Sequence, residues 1–244
     1  MDRDDAPIGR LLSRREVLTL LGASGAALMT GAAFVLPVPR VRRASLPDCM
    51  ARPQQTQGPY FVDERLNRSD IRTDPLSGAV SPGVPIALTF LVSRVTPGGC
   101  EPLPGAQVDL WQCDALGIYS DVTDPGFNTA GQKFLRGYQV TDAAGQVVFR
   151  TIYPGWYAGR TVHMHFKVRT PGSSTRAAEF TSQLYFDDAL TDRVHLTPPY
   201  AGKGRRTTRN TADRIFRSGG DQLLLTPRAR DNGYEATFSL GLQL

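Results

Sequence analysis

Apolar and polar residues alternate along most of the chain in short stretches, and glycine, proline or aspartate marks the boundaries between them. This two-residue period predicts β-strands, because successive side chains of a strand point to opposite faces. The predicted strands are 86–95, 106–113, 134–141, 147–152, 162–168, 179–186, 222–225 and 234–242. A helical pattern is confined to one or two turns near 211–217. The pattern therefore predicts an all-β fold, a β-sandwich of mainly antiparallel strands with long loops.

Residues 1–44 follow a different pattern. The motif S-R-R-E-V-L at 13–18 precedes an apolar stretch, 20–38, that is rich in glycine and alanine. Paired arginines before such a stretch are typical of a twin-arginine export signal, and a single transmembrane anchor is the alternative. We expect a signal peptide and linker over 1–44 and one β-sandwich domain over 45–244. The protein is then periplasmic or extracellular, with membrane contact only through export, and it stays membrane-anchored if the signal is not cleaved.

The charge of the chain does not indicate a nucleic-acid partner. The chain has 28 Lys+Arg and 23 Asp+Glu residues, a formal net charge of +5. Seven of the arginines and four of the acids lie in residues 1–44, so 21 basic and 19 acidic residues remain beyond them. The loop 203–209 is basic but has no interleaved aromatic residues, and we interpret it as a solvated loop.

Three cysteines, Cys49, Cys100 and Cys113, allow one disulfide and one free thiol in an exported chain. Three pairings exist, and the sequence does not choose among them. No C-x-x-C motif is present, which disfavours zinc held by thiolates.

The stretch 151–168 concentrates the candidate chemistry. His163 and His165 alternate with four apolar residues, Val162, Met164, Phe166 and Val168. A strand here places both imidazoles on one face, where two neutral histidines can share a metal. The alternative is a half-buried strand whose polar face carries two histidines without a ligand. The nearby P-G-W-Y turn and Arg160 favour the metal site, because they add a phenol donor and a fixed cation.

Five blocks of sequence carry a family resemblance. They are G-P-Y-F at 58–61, V-D-L-W-Q-C-D-A-L-G-I-Y-S at 108–120, F-L-R-G-Y-Q-V-T-D at 134–142, T-I-Y-P-G-W-Y-A-G-R-T-V-H-M-H at 151–165 and S-Q-L-Y-F at 182–186. In this order they resemble the intradiol ring-cleavage dioxygenases, in particular the protocatechuate 3,4-dioxygenase-like, exported branch. The resemblance runs from residue 49 to the C-terminus. Any one block is weak evidence, whereas the ordered set is specific.

The resemblance implies a ferric ion, Fe(3+), held by two tyrosinates and two histidines: Tyr119, Tyr157, His163 and His165. A phenolate is a hard anionic donor that favours the ferric state, and imidazole suits iron well. Tyr153 competes with Tyr157 for the second phenolate position. Tyr157 is favoured because the tyrosinate of the family follows the P-G turn, whereas Tyr153 precedes it. The connection from Tyr157 to His163 is shorter than in the protocatechuate enzymes.

Three further residues match the pocket of the family. Arg160 matches an active-site arginine that stabilises negative charge on the bound substrate, and a surface arginine is the alternative. Gln183 matches a pocket glutamine, and its phase in the strand places it with Tyr185. Tyr60 of the G-P-Y-F block is expected to contact the substrate. His195 has no evident partner, and we expect it to be an exposed loop residue.

The resemblance implies an oxidoreductase, an intradiol dioxygenase that inserts both atoms of O2 into a catechol-type substrate. The ring breaks between its two hydroxyl-bearing carbons and gives a muconate-type diacid. Tyr157, released when the substrate binds, acts as a base for a substrate proton, and Arg160 and Gln183 complete the catalytic set. Two alternatives stay open: an exported β-sandwich that binds a ligand or carbohydrate without catalysis, and a copper or zinc site on the two histidines. The sequence determines neither which catechol is used nor whether the protein is a homo-oligomer.

Overall fold

The computed structural model describes residues 50–170 and 178–244. This part of the chain contains eleven β-strands, one α-helix and three 3-10 turns. The strands are β1 Pro85–Thr96, β2 Gly99–Pro102, β3 Gln107–Trp111, β4 Thr123–Asp124, β5 Phe127–Asn128, β6 Arg136–Val140, β7 Gln146–Ile152, β8 His163–Arg169, β9 Glu179–Tyr185, β10 Arg228–Arg230 and β11 Gly233–Leu242. The helix is α1, Asp188–Val194, and the 3-10 turns are Tyr200–Lys203, Asn210–Ala212 and Gly220–Leu223.

The strands form two main sheets and a short hairpin. One sheet has the order β10-β11-β1-β2, with β7 also paired to β1, and the other has the order β6-β3-β8-β9. Strands β4 and β5 form a hairpin of their own. The pairs within these sheets are antiparallel except β1 with β11, which run parallel. The predicted all-β fold with mainly antiparallel strands is therefore confirmed.

Aromatic and aliphatic side chains from both sheets form the core between them. Phe90 of β1 lies against Phe166 of β8, with ring centroids 5.3 Å apart, and Phe166 also contacts Phe238 of β11 at 5.4 Å. All three rings are buried. Removal of such apolar surface from water stabilises the fold by roughly 25 cal/mol for each Å².

Strand β8 is buried on both faces. Its apolar residues point into the core, as their alternation predicts, and His163 and His165 point the opposite way. The second face is buried as well, because the segment before β1 lies across it. Gln55 N donates to Thr181 O at 3.0 Å, and a Cβ on Gly58 would lie 3.2 Å from the His165 ring. The two histidines therefore lie in an enclosed space.

The structure differs from the sequence prediction at several elements, among them the short strands β4, β5 and β10, which the pattern does not predict. Residues 99–102 form β2, which the pattern does not predict. Residues 222–225, predicted as a strand, are the end of a 3-10 turn followed by a single bridge from Leu224 to Tyr185. Helix α1 is not predicted either, because seven residues are too few to establish a helical period. Asp187 caps this helix by accepting a hydrogen bond from Leu190 N at 2.9 Å.

The predicted signal peptide and linker over 1–44 lie outside the described residues, so export stays a prediction. Within 50–170 and 178–244, no helix is long and apolar enough to span a membrane. Cys100 is disulfide-bonded, and Cys113 is a free, buried thiol. Cys49 lies outside the described residues.

Candidate metal centre

His163 and His165 occupy the enclosed face of β8, with their Nε2 atoms 3.0 Å apart. His163 Nδ1 donates to Thr161 O at 2.6 Å; a carbonyl only accepts, so Nδ1 carries the proton and Nε2 presents a lone pair. Metal-binding histidines commonly make this second hydrogen bond. Burial lowers the pKa of both imidazoles well below the ordinary value, and Arg160 acts in the same direction. Both rings are therefore neutral, as metal binding requires.

Tyr119 reaches the same space from the loop after β3. The Asp114 carboxylate accepts hydrogen bonds from Leu116 N and Ile118 N, which folds this loop into a tight turn. Beyond the turn, Thr129 Oγ1 donates to Tyr119 O at 2.6 Å. The Tyr119 side chain is fully buried, and its hydroxyl makes no hydrogen bond of ordinary geometry among the described residues, although the Tyr157 hydroxyl is close enough to raise its pKa. Because an unpartnered buried hydroxyl is unfavourable, this atom suits a ligand that the chain itself does not supply.

Two glycines allow two loops to pack closely. One is the loop after β3, which carries Tyr119, and the other is the loop after β7, which carries Tyr157. A Cβ on Gly155 would lie 2.4 Å from a backbone oxygen of the Tyr119 loop, and a Cβ on Gly117 would lie 2.1 Å from Trp156 O. Gly117 also has a positive φ of 79°, a conformation that favours glycine. The close backbone contact brings the Tyr119 and Tyr157 rings to 5.8 Å between centroids.

The phenol groups of Tyr119 and Tyr157 lie next to the imidazoles of His163 and His165. The Tyr157 hydroxyl lies 3.1 Å from His163 Nε2. Burial raises the pKa of Tyr119 and of Tyr157, although Arg160 acts in the opposite direction, so ionised phenols here need a further cation close by. Residues 50–170 and 178–244 contain no group of three or more His, Cys, Asp and Glu side chains able to hold a metal ion. A metal at this place would depend on the two tyrosines, and their chemistry fits a cation that accepts both oxygen and nitrogen donors.

Arg160 is held beside these donors. Its Nε donates to Asp213 Oδ2 at 2.8 Å, and its Nη2 donates to Gln183 Oε1 at 2.6 Å. Asp213 is almost fully buried and also accepts from Thr161 N at 2.8 Å. The Nη1 atom of Arg160 lies 3.5 Å from His163 Nε2. Arg160 is thus a fixed cation within the site rather than a surface residue. Nothing in the sequence points to Asp213, which follows Arg160 by 53 residues in an irregular loop.

Gln183 lies on β9 directly opposite His165 in the strand register. Its Nε2 donates to Thr56 O at 2.9 Å, and its Oε1 accepts from Arg160 and from the Tyr185 hydroxyl at 3.0 Å. The side chain is fully buried. Gln183 is therefore placed to orient the Arg160 guanidinium.

Two aromatic rings wall the site. Tyr60 stacks on Tyr119, with centroids 4.4 Å apart and planes at 24°, and its hydroxyl donates to Asp124 Oδ2 at 2.8 Å. Burial, reinforced by Asp124, raises the pKa of Tyr60 to about 12. Trp111 stacks on His165 at 5.1 Å and 7°. Strand spacing alone does not distinguish a pocket role for Trp111 from ordinary core packing, and no sequence pattern points to Asp124.

Tyr153 and His195 lie apart from the converging donors. The Tyr153 side chain is buried in the main core, where its hydroxyl lies 2.8 Å from Thr191 Oγ1. The expectation that His195 is exposed is wrong. The residue is only 8% exposed, it directly follows α1, and its Nε2 donates to Pro154 O at 3.1 Å. Its burial escapes prediction because the short helix that positions it has no recognisable period.

A sequence profile of the dioxygenase family matches residues 56–197. Catechol 1,2-dioxygenase of Candida albicans is 35% identical over 107 residues, which cover 35% of this chain and only 33% of that protein. The beta chain of protocatechuate 3,4-dioxygenase of Burkholderia cepacia is 31% identical over 167 residues, which cover 64% of this chain and 69% of that one.

The fold also resembles solved structures. An intradiol ring-cleavage dioxygenase from Tetranychus urticae matches with a TM-score of 0.69 and 28% identity, over 80% of this chain and 95% of that chain. The family profile covers more than half of the sequence. The chain therefore belongs to the intradiol ring-cleavage dioxygenase family.

Proposed function

We propose that the protein is a non-haem iron(III) intradiol dioxygenase that cleaves the ring of a catechol-type substrate between its two hydroxyl-bearing carbons. The reaction consumes O2, both atoms of which enter a muconate-type diacid. The observation that carries the proposal is the convergence of two phenols and two neutral imidazoles in one enclosed space, where the Tyr119 hydroxyl makes no hydrogen bond of ordinary geometry with the described chain. Membership of the family supports the same activity.

The residues that would hold the iron are Tyr119, Tyr157, His163 and His165. Phenolate is a hard anionic donor that suits the ferric state, and imidazole binds iron readily. Two phenolates reduce the formal charge of Fe(3+) from three to one, which suits a dianionic catecholate. When bound, ferric iron would supply the Lewis acidity that makes the catecholate ring reactive toward O2.

Tyr157 is the donor best placed to move a proton. Its side chain is partly exposed, whereas Tyr119 is fully buried beneath Tyr60. A phenolate at Tyr157 can therefore turn toward solvent and accept a proton from an incoming substrate hydroxyl. Tyr119 has no room for such a movement and stays in place.

Arg160 is assigned the stabilisation of negative charge on the substrate. The guanidinium stays protonated, and its contacts with Asp213 and Gln183 fix its plane beside His163. A donor that is oriented in advance stabilises developing charge without a proton transfer. Tyr60 completes the substrate side of the site, since its ring covers Tyr119 and excludes water from it.

Isotope labelling tests the proposed reaction. The iron-loaded protein is incubated under 18O2 with catechol, protocatechuate and hydroxyquinol in turn, and the products are analysed by mass spectrometry. We expect a muconate-type product carrying both labelled atoms from at least one of these catechols. A product of cleavage outside the two hydroxyl-bearing carbons, or no product from any catechol, would contradict the proposal and favour a binding protein.

A further inference from the structure

Four consecutive backbone carbonyls ahead of Tyr157 each accept a hydrogen bond from a side chain. The pairs are Gln112 Nε2 to Ile152 O at 2.9 Å, the Tyr200 hydroxyl to Tyr153 O at 2.7 Å, His195 Nε2 to Pro154 O at 3.1 Å and Cys113 Sγ to Gly155 O at 3.6 Å. Residues 152–155, which we call the carbonyl segment, are all buried. Buried carbonyls need partners, and Pro154 lacks the N–H that would let a regular strand continue.

His195 and Tyr200 act on this segment as a pair. Their rings stack with centroids 5.1 Å apart and planes at 9°. The Tyr200 hydroxyl also accepts from Val84 N at 2.9 Å, so it is fixed from two sides. Because Pro154 O can only accept, His195 Nε2 carries the proton. Burial lowers the pKa of His195, which keeps the imidazole neutral near neutral pH.

The carbonyl segment determines where Tyr157 lies. Gly155, two residues before Tyr157, also donates its N–H to Asp114 O at 2.9 Å. The Tyr157 hydroxyl lies 3.1 Å from His163 Nε2. His163 belongs to β8 and is anchored independently, so a shift of the carbonyl segment would move one donor relative to the other.

We propose that His195 is a positioning residue that, together with Tyr200, fixes the carbonyl segment and thereby sets the position of the Tyr157 phenol relative to His163. It acts through the main chain and does not touch the substrate. The assignment of Tyr157 as an iron ligand rests on the proposed function, whereas the fixing of the segment does not.

Variants of the full chain test this role. His195→Phe keeps a flat ring against Tyr200 but removes the donor, whereas His195→Gln keeps an amide donor. Tyr153→Phe is the control, because it removes a buried hydroxyl bonded to Thr191 but no donor to the carbonyl segment. The two readouts are hydrogen–deuterium exchange after chelator treatment at residues 153 and 155, whose N–H groups donate to Val84 O and Asp114 O, and the visible absorption after loading with ferric iron.

We expect His195→Phe to raise the exchange rate of the hydrogen-bonded amides at residues 153 and 155 roughly fivefold, the factor that corresponds to the loss of one hydrogen bond, and to shift the absorption band. His195→Gln should restore both readouts toward wild type, and Tyr153→Phe should lower Tm without changing either. Wild-type exchange in His195→Phe, or the same changes in Tyr153→Phe, would overturn the proposal.

Two further outcomes change which measurement decides. If His195→Phe does not fold, Tyr200→Phe replaces it with the same expectation, because that change removes the donor to Tyr153 O. If the wild-type chain binds no iron, the proposed function fails, and the exchange readout alone then decides whether His195 fixes the segment.

Discussion

Tyr119 is a candidate ligand whose hydroxyl is suited to a bound cation. Its hydroxyl is buried and makes no hydrogen bond of ordinary geometry among the described residues, burial raises its pKa, and Tyr60 stacks over its ring. A bound cation would stabilise the phenolate and lower the pKa of Tyr119, opposite to the effect of burial. Tyr153 is different, because its hydroxyl is already satisfied by Thr191.

Replacing the tyrosines one at a time separates ligands from core residues. Tyr119→Phe and Tyr157→Phe should each alter the visible absorption band of the iron-loaded protein, because each removes a phenolate donor. Tyr153→Phe should leave the band nearly intact. A band that responds to Tyr153→Phe but not to Tyr157→Phe would reassign the second phenolate.

Arg160→Lys should lower kcat about 100-fold and leave the absorption band in place. Lysine keeps the charge but loses the planar set of donors that is fixed in advance. Asp213→Asn is the comparison: it keeps one oxygen acceptor for Arg160 while its amide nitrogen replaces the oxygen that accepts from Ile215 N and Phe216 N, and it should lower kcat less. Steady-state kinetics with the preferred catechol measures both variants. An unchanged kcat in Arg160→Lys would remove Arg160 from the catalytic set.

Individual site residues are predictable only where a pattern contains them. The alternation around His163 and His165 predicts their shared face, and the strand phase of Gln183 predicts the side of β9 on which it lies. Asp213 and His195 are different, because they come from irregular segments whose positions depend on contacts distant in sequence. The local pattern of apolar and polar residues contains no information about such distant contacts.

At the level of elements, the site depends on how closely two loops approach. The loop after β3 and the loop after β7 touch backbone to backbone at Gly117 and Gly155. This contact brings two phenols to a strand that carries both imidazoles. The spacing of the site is therefore set by residues that have no side chain.

Gly155→Ala should lower the free energy of unfolding by about 2 kcal/mol and reduce iron binding, because the new methyl group would collide with a backbone carbonyl. Gly202→Ala is the control, since nothing lies within 4 Å of the added atom, and it should change stability by less than about 0.5 kcal/mol. Denaturant unfolding and metal analysis measure the two effects. Equal stability of the two variants would contradict the close backbone contact at Gly155.

The positions of the longer strands in the sequence are largely predictable, but the pairing of the strands within the sheets is not. Alternation shows which side chains share a face, so β1, β8 and β11 are recognised from the sequence. The parallel pairing of β1 with β11 joins Ile86 to Tyr234 and has no local signature. Helix α1 is too short for a period, and its cap at Asp187 becomes evident only in the structure.

For the molecule as a whole, Asp109 couples stability to pH. Arg169 Nη2 donates to this carboxylate at 3.3 Å and Gln107 Nε2 at 3.2 Å, but burial outweighs both and raises the pKa of Asp109 to about 6. The folded state therefore holds a proton that the unfolded state releases near pH 4. The stability from this group is complete below about pH 4 and is lost as the pH rises through about 6.

Asp109→Asn should flatten the fall in the free energy of unfolding between about pH 4 and pH 6, a fall on the order of 2 kcal/mol. Asp221→Asn removes one exposed carboxylate and should keep the wild-type slope. Denaturant unfolding across this pH range provides the comparison. A wild-type slope in Asp109→Asn would assign the pH dependence to other groups.

The metal content and visible spectrum of the purified protein test the central claim most directly. We predict bound ferric iron and a broad tyrosinate-to-iron charge-transfer band that changes when catechol is added. Elemental analysis and absorption spectroscopy on the same sample give both results. A colourless protein that holds no iron, or one that holds copper or zinc in its place, would contradict the proposed function.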